Sequence, residues 1–131
     1  MLVTDPIGDF IIRLKNATQV GKREVSVPFS KLKHSIALTL KKSGYIGEVT
    51  ENGDGIEKTL TVELLYTDGR PKINGVKRVS KPGRRLYSPV AKIHPIKYGK
   101  GCMILTTPKG ILTDAEARKN RVGGETLFTI W

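Results

Sequence analysis

Residues 102–130 read CMILTTPKGILTDAEARKNRVGGETLFTI, and the changes of period inside that stretch decide the fold class. Cys102 to Thr107 is an apolar run ending in β-branched threonines, and Ile111-Leu112 resumes it. Pro108-Lys109-Gly110 between them is turn chemistry, so two strands joined by a tight connection are expected. Thr113-x-x-Glu116 has the spacing of a capping box, in which each side chain satisfies the other's backbone amide, and it opens a helix at Asp114. Gly123-Gly124 is the expected stop. Glu125 to Trp131 then reads as a final strand with Leu127, Phe128 and Ile130 apolar. Strand, strand, helix, strand is an α+β pattern.

Working back toward the amino terminus, the period alternates again. Thr4-Asp5-Pro6 starts a helix, with Asp5 as cap, Pro6 in the first turn and Asp9 complementing the dipole. Ile7, Phe10, Ile11 and Leu14 recur at helical spacing and predict one buried stripe, with Arg13 and Lys15 outside it. Val25 to Val27 is a short strand. Ser30 caps a second helix whose core side is Leu32, Ile36, Ala37 and Leu40, whose wet side carries Lys31, Lys33, Lys41 and Lys42, and which stops at Gly44. Ile46 to Thr50 and Thr59 to Tyr66 are strands around an Asn52-Gly53-Asp54-Gly55 turn, with Leu60, Val62 and Leu64 on one face. Lys72 to Val79 alternates loosely, with Ile73, Val76 and Val79 inward. Ser80-Lys81-Pro82-Gly83 breaks it, Arg84 to Tyr87 is extended, and Ser88 to Gly101 is irregular.

Charge divides the chain more sharply than pattern does. Residues 1–66 carry nine Lys/Arg against eight Asp/Glu, and residues 67–131 fourteen against four. Between Gly69 and Thr113 there are eleven basic residues and no acidic one, so their field has no local counter-charge and a polyanionic partner follows. The Thr67-Asp68-Gly69-Arg70 turn coincides with this change. Two small domains are therefore expected: residues 1–66, α-β-α-β-β, and a basic domain of residues 67–131, mainly antiparallel β with one short helix, which would carry the polyanion-binding surface. No basic amphipathic helix with a continuous apolar face occurs in the second half, which favours nucleic acid over a membrane. The amino terminus lacks the pattern of a secretory signal, so the cytoplasm is the default location.

The sequence points away from catalysis. Cys102 is the only cysteine; opening an apolar run, it is expected in the core, and a cluster of thiolate metal ligands is impossible. Tyr98-Gly99-Lys100-Gly101 has two glycines of a dinucleotide loop, but the third position is Ile104. His34 and His94 have no neighbouring nucleophile motif, and no Asp-x-Asp pair is placed for magnesium. No cofactor, catalytic residue or metal ligand is assigned.

Among nucleic acids, the few aromatics, notably Tyr87 and Tyr98, do not make the aromatic-rich strands that stack single-stranded bases, and no helix is dense in residues that read a DNA major groove. A structured RNA is the better target, because its shallow minor groove, lined with hydroxyls, admits short side chains and bare backbone. Thr106 and Thr107 could bond ribose hydroxyls, Pro108 would fix the loop, Lys109 could meet phosphate, and Gly110 would allow close approach. Pattern alone leaves this loop open between an ordinary hairpin turn and a contact surface.

Four segments carry a resemblance to a known family: DPIGDFIIRLKNA (5–17), PFSKLKHSIALTLKKSGYI (28–46), RVSKPGRRLY (78–87) and TTPKGILTDAEARKNRVGGETLFTIW (106–131). In this order, and nearly end to end, the chain resembles bacterial small-subunit ribosomal protein eight. The resemblance implies a non-enzymatic, primary-binding protein of two α+β domains that docks on a helical element in the central domain of small-subunit rRNA and helps organise assembly. It implies neighbouring ribosomal proteins, especially protein five, as further partners, and repression of its own messenger where that RNA imitates the ribosomal site. It places recognition in Thr106 to Gly110 and Glu125, with further contacts from Arg84, Arg85 and Tyr87 and from Ser30, Lys31 and Lys33. The loop departs from the family's usual Ser-Thr-Ser-x-Gly, because Pro108 lacks both a hydroxyl and an amide donor. Lys92 to Met103 departs as well. A nucleic-acid-modifying enzyme and a nonspecific basic RNA chaperone are the competing classes.

Overall fold

The structure, a computed structural model, describes residues 5–81, 83–93 and 101–131. Thr4, Pro82, His94 and Tyr98-Gly99-Lys100 lie outside them. Two compact units emerge, one of Phe10–Asn74 and one of Met1–Asp9 with Gly75–Trp131. The charge change at residue 67 falls within the first of these, in a short hairpin described below.

Helix α1 (Pro6–Gln19) starts as its sequence demands. The Gly8 amide donates to Asp5 Oδ1 at 3.1 Å, and Ile7, Phe10, Ile11 and Leu14 are buried. In the first unit, strand β1 (Glu24–Pro28) is followed by helix α2 (Lys31–Lys42), capped by the Ser30 side chain, which accepts from the Lys33 amide. Its buried face is Ile36, Ala37, Thr39 and Leu40. Leu32, expected among them, is 42% exposed. It lies in the first turn, and the stripe closes with Thr39, whose hydroxyl donates to the Ser35 carbonyl at 3.0 Å and so takes no unmet polar group inward. Ser43 is the C-cap, and Gly44 at φ +86° lets the chain leave the helix.

Strands β2 (Ile46–Asn52) and β3 (Thr59–Leu64) complete an antiparallel sheet in the order β1-β3-β2. Leu60, Val62 and Leu64 are buried on the central strand, as the period-two pattern requires. Strands β4 (Tyr66–Thr67) and β5 (Arg70–Pro71) form the short hairpin, turning through Asp68 and Gly69, both at positive φ.

The second unit is organised around its last strand. Strands β6 (Val76–Arg78), β7 (Tyr87–Ser88), β8 (Cys102–Thr107), β9 (Gly110–Thr113) and β10 (Gly124–Ile130) form one antiparallel sheet. Its order is β6-β10-β8-β9, and β7 also pairs with β10. Six of the seven β10 residues are buried, Glu125 through Ile130, so this is a central strand covered on both faces. Cys102 is buried too, as its apolar run implied. Helix α3 (Asp114–Asn120) has the full capping box: Glu116 N donates to Thr113 Oγ1 at 3.2 Å and Thr113 N to Glu116 Oε1 at 3.1 Å. Its Ala117 packs with Leu105 and Ile93, flanked by Met103 and Val122.

The stop of α3 is not the double glycine. Arg121 ends the helix in the left-handed conformation, φ 54°. Gly123 and Gly124 serve the sheet instead. A Cβ on Gly124 would lie 2.2 Å from the Thr106 carbonyl oxygen, and one on Gly123 2.4 Å from that of Ser88. Hydrogen at these positions lets the three backbones approach.

Candidate nucleic-acid interface

The β10 register brings distant residues into one row. Glu125 lies directly opposite Tyr87 of β7 on one side and Thr106 of β8 on the other. Cross-strand partners share a face, and successive residues alternate between faces. Since Leu105 faces α3, Thr106, Glu125 and Tyr87 share the opposite face. Tyr87 is largely exposed and Thr106 half-buried, whereas Glu125 is buried.

At one end of this row is the β8–β9 turn, where Thr107 pairs with Gly110 and Pro108-Lys109 form the tip. The Thr107 hydroxyl is engaged inside the turn. It donates to the Gly110 carbonyl at 2.9 Å and accepts from the Lys109 amide at 3.1 Å. Gly110 takes φ +106°, which bars a side chain there at little cost. Pro108 and Lys109 are exposed. Of the two hydroxyls expected to meet ribose, Thr106 is the one without a partner among the described residues, while Thr107 builds the loop.

The other end is a second turn, carrying Lys81, Arg84 and Arg85. Lys81 and Arg84 pair through both of their backbone bonds, each 2.9 Å. Ser80, fully buried, ties the base of this loop: its hydroxyl accepts from the Leu86 amide at 2.8 Å and faces the Leu86 carbonyl at 3.2 Å. The Leu86 carbonyl also receives the Thr126 amide at 2.9 Å and the Thr126 hydroxyl at 3.1 Å. The loop is thus fastened to β10 beside Glu125. Arg85 Nη1 donates to Glu125 Oε1 at 3.3 Å.

Two further ion pairs brace this unit. Asp114 is buried, accepting from the Met103 amide at 3.1 Å and from Arg118 at 2.9 Å. Arg78 donates to both Asp5 oxygens, at 3.0–3.3 Å, and to the Leu127 carbonyl at 2.6 Å. Burial works against the Asp5 carboxylate, but the hydrogen bonds from Arg78 and the Gly8 amide outweigh it and hold the Asp5 pKa below the ordinary value.

Ser30, Lys31 and Lys33 belong to the first unit. Ser30 is committed as the α2 cap, Lys33 Nζ reaches the Pro28 carbonyl at 3.1 Å, and Lys31 is exposed. Nearby, Lys58 lies 4.0 Å over the Phe29 ring and pairs with Glu51 at 3.4 Å. Among the described residues no group of three or more His, Cys, Asp or Glu is placed to hold a metal ion, and no helix is long and apolar enough to cross a membrane. Sequence reasoning missed Ser80 and Thr126. Each is an ordinary small polar residue, and only its burial against a distant backbone marks it.

The family model described as Ribosomal protein S8 matches residues 5–131. The small ribosomal subunit protein uS8 of Persephonella marina is 49% identical to this chain over 136 residues, covering 99% of the chain and 100% of that protein. That of Saccharophagus degradans is 47% identical over 131 residues, and that of Novosphingobium aromaticivorans 44% over 131, each covering both chains completely.

Proposed function

The chain belongs to the ribosomal protein S8 family, structural proteins of the small ribosomal subunit and not enzymes, and we propose that it docks its basic C-terminal part on a helical element in the central domain of small-subunit rRNA. The observation that carries this reading is the row Tyr87–Glu125–Thr106 between two basic turns, one bearing Lys81, Arg84 and Arg85, the other Lys109. An exposed ring, a short hydroxyl and the Gly110 backbone suit the shallow minor groove of folded RNA, and the flanking cations suit its phosphates. Pro108 holds the tip without offering a donor. In this reading Ser30, Lys31 and Lys33 supply secondary contacts, Ser30 through its backbone because its hydroxyl caps α2. Ribosomal protein five is a neighbour, and the protein works in the cytoplasm, on the ribosome. A messenger that imitates the ribosomal site would take the same surface and be repressed.

The test is binding of the purified protein to the central-domain RNA and to an unrelated duplex across a salt series. Preference for the first is expected, with log affinity falling against log salt at a slope of roughly −4 if about five phosphates are neutralised. Equal affinity for both RNAs would leave only a nonspecific basic chaperone.

A further inference from the structure

An acidic side chain in an RNA-facing row calls for a physical reason, and the Arg85–Glu125 geometry supplies one. The Glu125 side chain is 10% exposed and that of Arg85 60%. Both carboxylate oxygens face the same guanidinium nitrogen, Nη1, at 3.3 and 3.5 Å. The Arg85 Nε and Nη2 donors have no partner among the described residues. A guanidinium is a rigid planar fork, so a carboxylate holding one nitrogen also fixes where the others point.

Both ends of the pair are anchored. Glu125 is held in a central strand between Tyr87 and Thr106. Arg85 leaves a loop closed by the Lys81–Arg84 bonds and the Ser80–Leu86 clasp.

Resting on the RNA-binding reading above, we propose that Glu125 is a positioning residue that touches no RNA. It orients Arg85, whose Nε and Nη2 form a bidentate site for one RNA phosphate. Carboxylate, guanidinium and phosphate then alternate in sign, which removes the repulsion that a bare carboxylate would exert on the RNA.

The test compares Glu125→Gln, Arg85→Ala, the double variant and Arg85→Lys for binding to the central-domain RNA and to an unrelated duplex across salt. By charge alone, losing an anion should tighten RNA binding. The positioning role predicts the reverse: Glu125→Gln loses about tenfold in affinity for the central-domain RNA, with the salt slope shallower by about one. Arg85→Ala does the same, and the double variant is within about twofold of either single one, because a unit is lost only once. Arg85→Lys keeps the charge without the fork, and a further variant that combines it with Glu125→Gln binds no more weakly than Arg85→Lys alone. The proposal is overturned if Glu125→Gln binds as tightly as the parent with an unchanged slope, or if the two single losses multiply. Far-ultraviolet circular dichroism and urea midpoints establish that each variant folds. If the parent itself does not distinguish the two RNAs, the RNA-binding reading fails; if it does and the losses multiply, only the positioning role fails.

Discussion

Ser80 and Leu86 close the basic loop from within: the Leu86 amide donates to the buried Ser80 hydroxyl at 2.8 Å, and the same hydroxyl lies 3.2 Å from the Leu86 carbonyl. Ser80→Ala leaves that amide facing a methyl group. We expect a loss of about 1–2 kcal/mol in urea unfolding, together with weaker binding of every RNA, since Lys81, Arg84 and Arg85 lose their common base. A variant as stable as the parent would mean that the clasp contributes nothing.

The two threonines of the hairpin should separate in experiment. Thr107→Val removes both bonds inside the turn and should cost about 1 kcal/mol of stability as well as RNA affinity, whereas Thr107→Ser restores both. Thr106→Val removes a hydroxyl with no protein partner among the described residues. It should leave the unfolding midpoint unchanged while weakening specific RNA binding by roughly threefold to tenfold. Unfolding curves and filter binding on the same preparations distinguish the two patterns.

Gly124→Ala tests the approach of β10 to β8. The added methyl would meet the Thr106 carbonyl oxygen, a backbone atom that cannot swing away. A cost of about 1–3 kcal/mol is expected, accompanied by loss of specific RNA binding as the Glu125–Thr106 register is disturbed. Arg121→Gly, at the actual stop of α3, should instead be neutral or mildly stabilising, because it relieves a left-handed non-glycine residue.

The Asp5–Arg78 pair predicts how stability depends on pH. The Asp5 pKa is lowered in the folded chain: burial opposes ionisation, but the hydrogen bonds from Arg78 and Gly8 prevail. A depressed pKa means that the contribution is fully present above the unfolded value, about 3.9 for an aspartate, and is lost as pH falls through the folded one. Asp5→Asn keeps the helix cap and removes the charge. Near neutral pH it should be less stable by about 1–3 kcal/mol, and the gap should close as the pH falls below about 3.9 and through the lowered folded-state pKa. Urea unfolding of both proteins over that range measures the difference. A gap that is constant with pH would show that the ion pair contributes nothing through its charge.

The sequence by itself determined the elements that local chemistry fixes. The α1 and α2 stripes, the Asp5 and Ser30 caps, the Thr113–Glu116 box, the Asp68-Gly69 turn and the β8–β9 hairpin all depend on residues within a few positions of each other. Backbone sterics and short-range hydrogen bonds therefore wrote them into the pattern. Charge, which needs only counting, marked the basic segment. The tertiary structure alone decided what depends on distant partners. Gly123-Gly124 looked like a helix stop and proved to be the gap through which three strands converge, and Leu32 had the spacing of a core residue yet lies outside. Ser80 with Leu86 and Thr126, and Arg85 with Glu125, join residues up to about 40–46 positions apart in the chain. No periodicity reports such pairs, because they exist only once β10 has entered the middle of its sheet and excluded water from the groups it brings together.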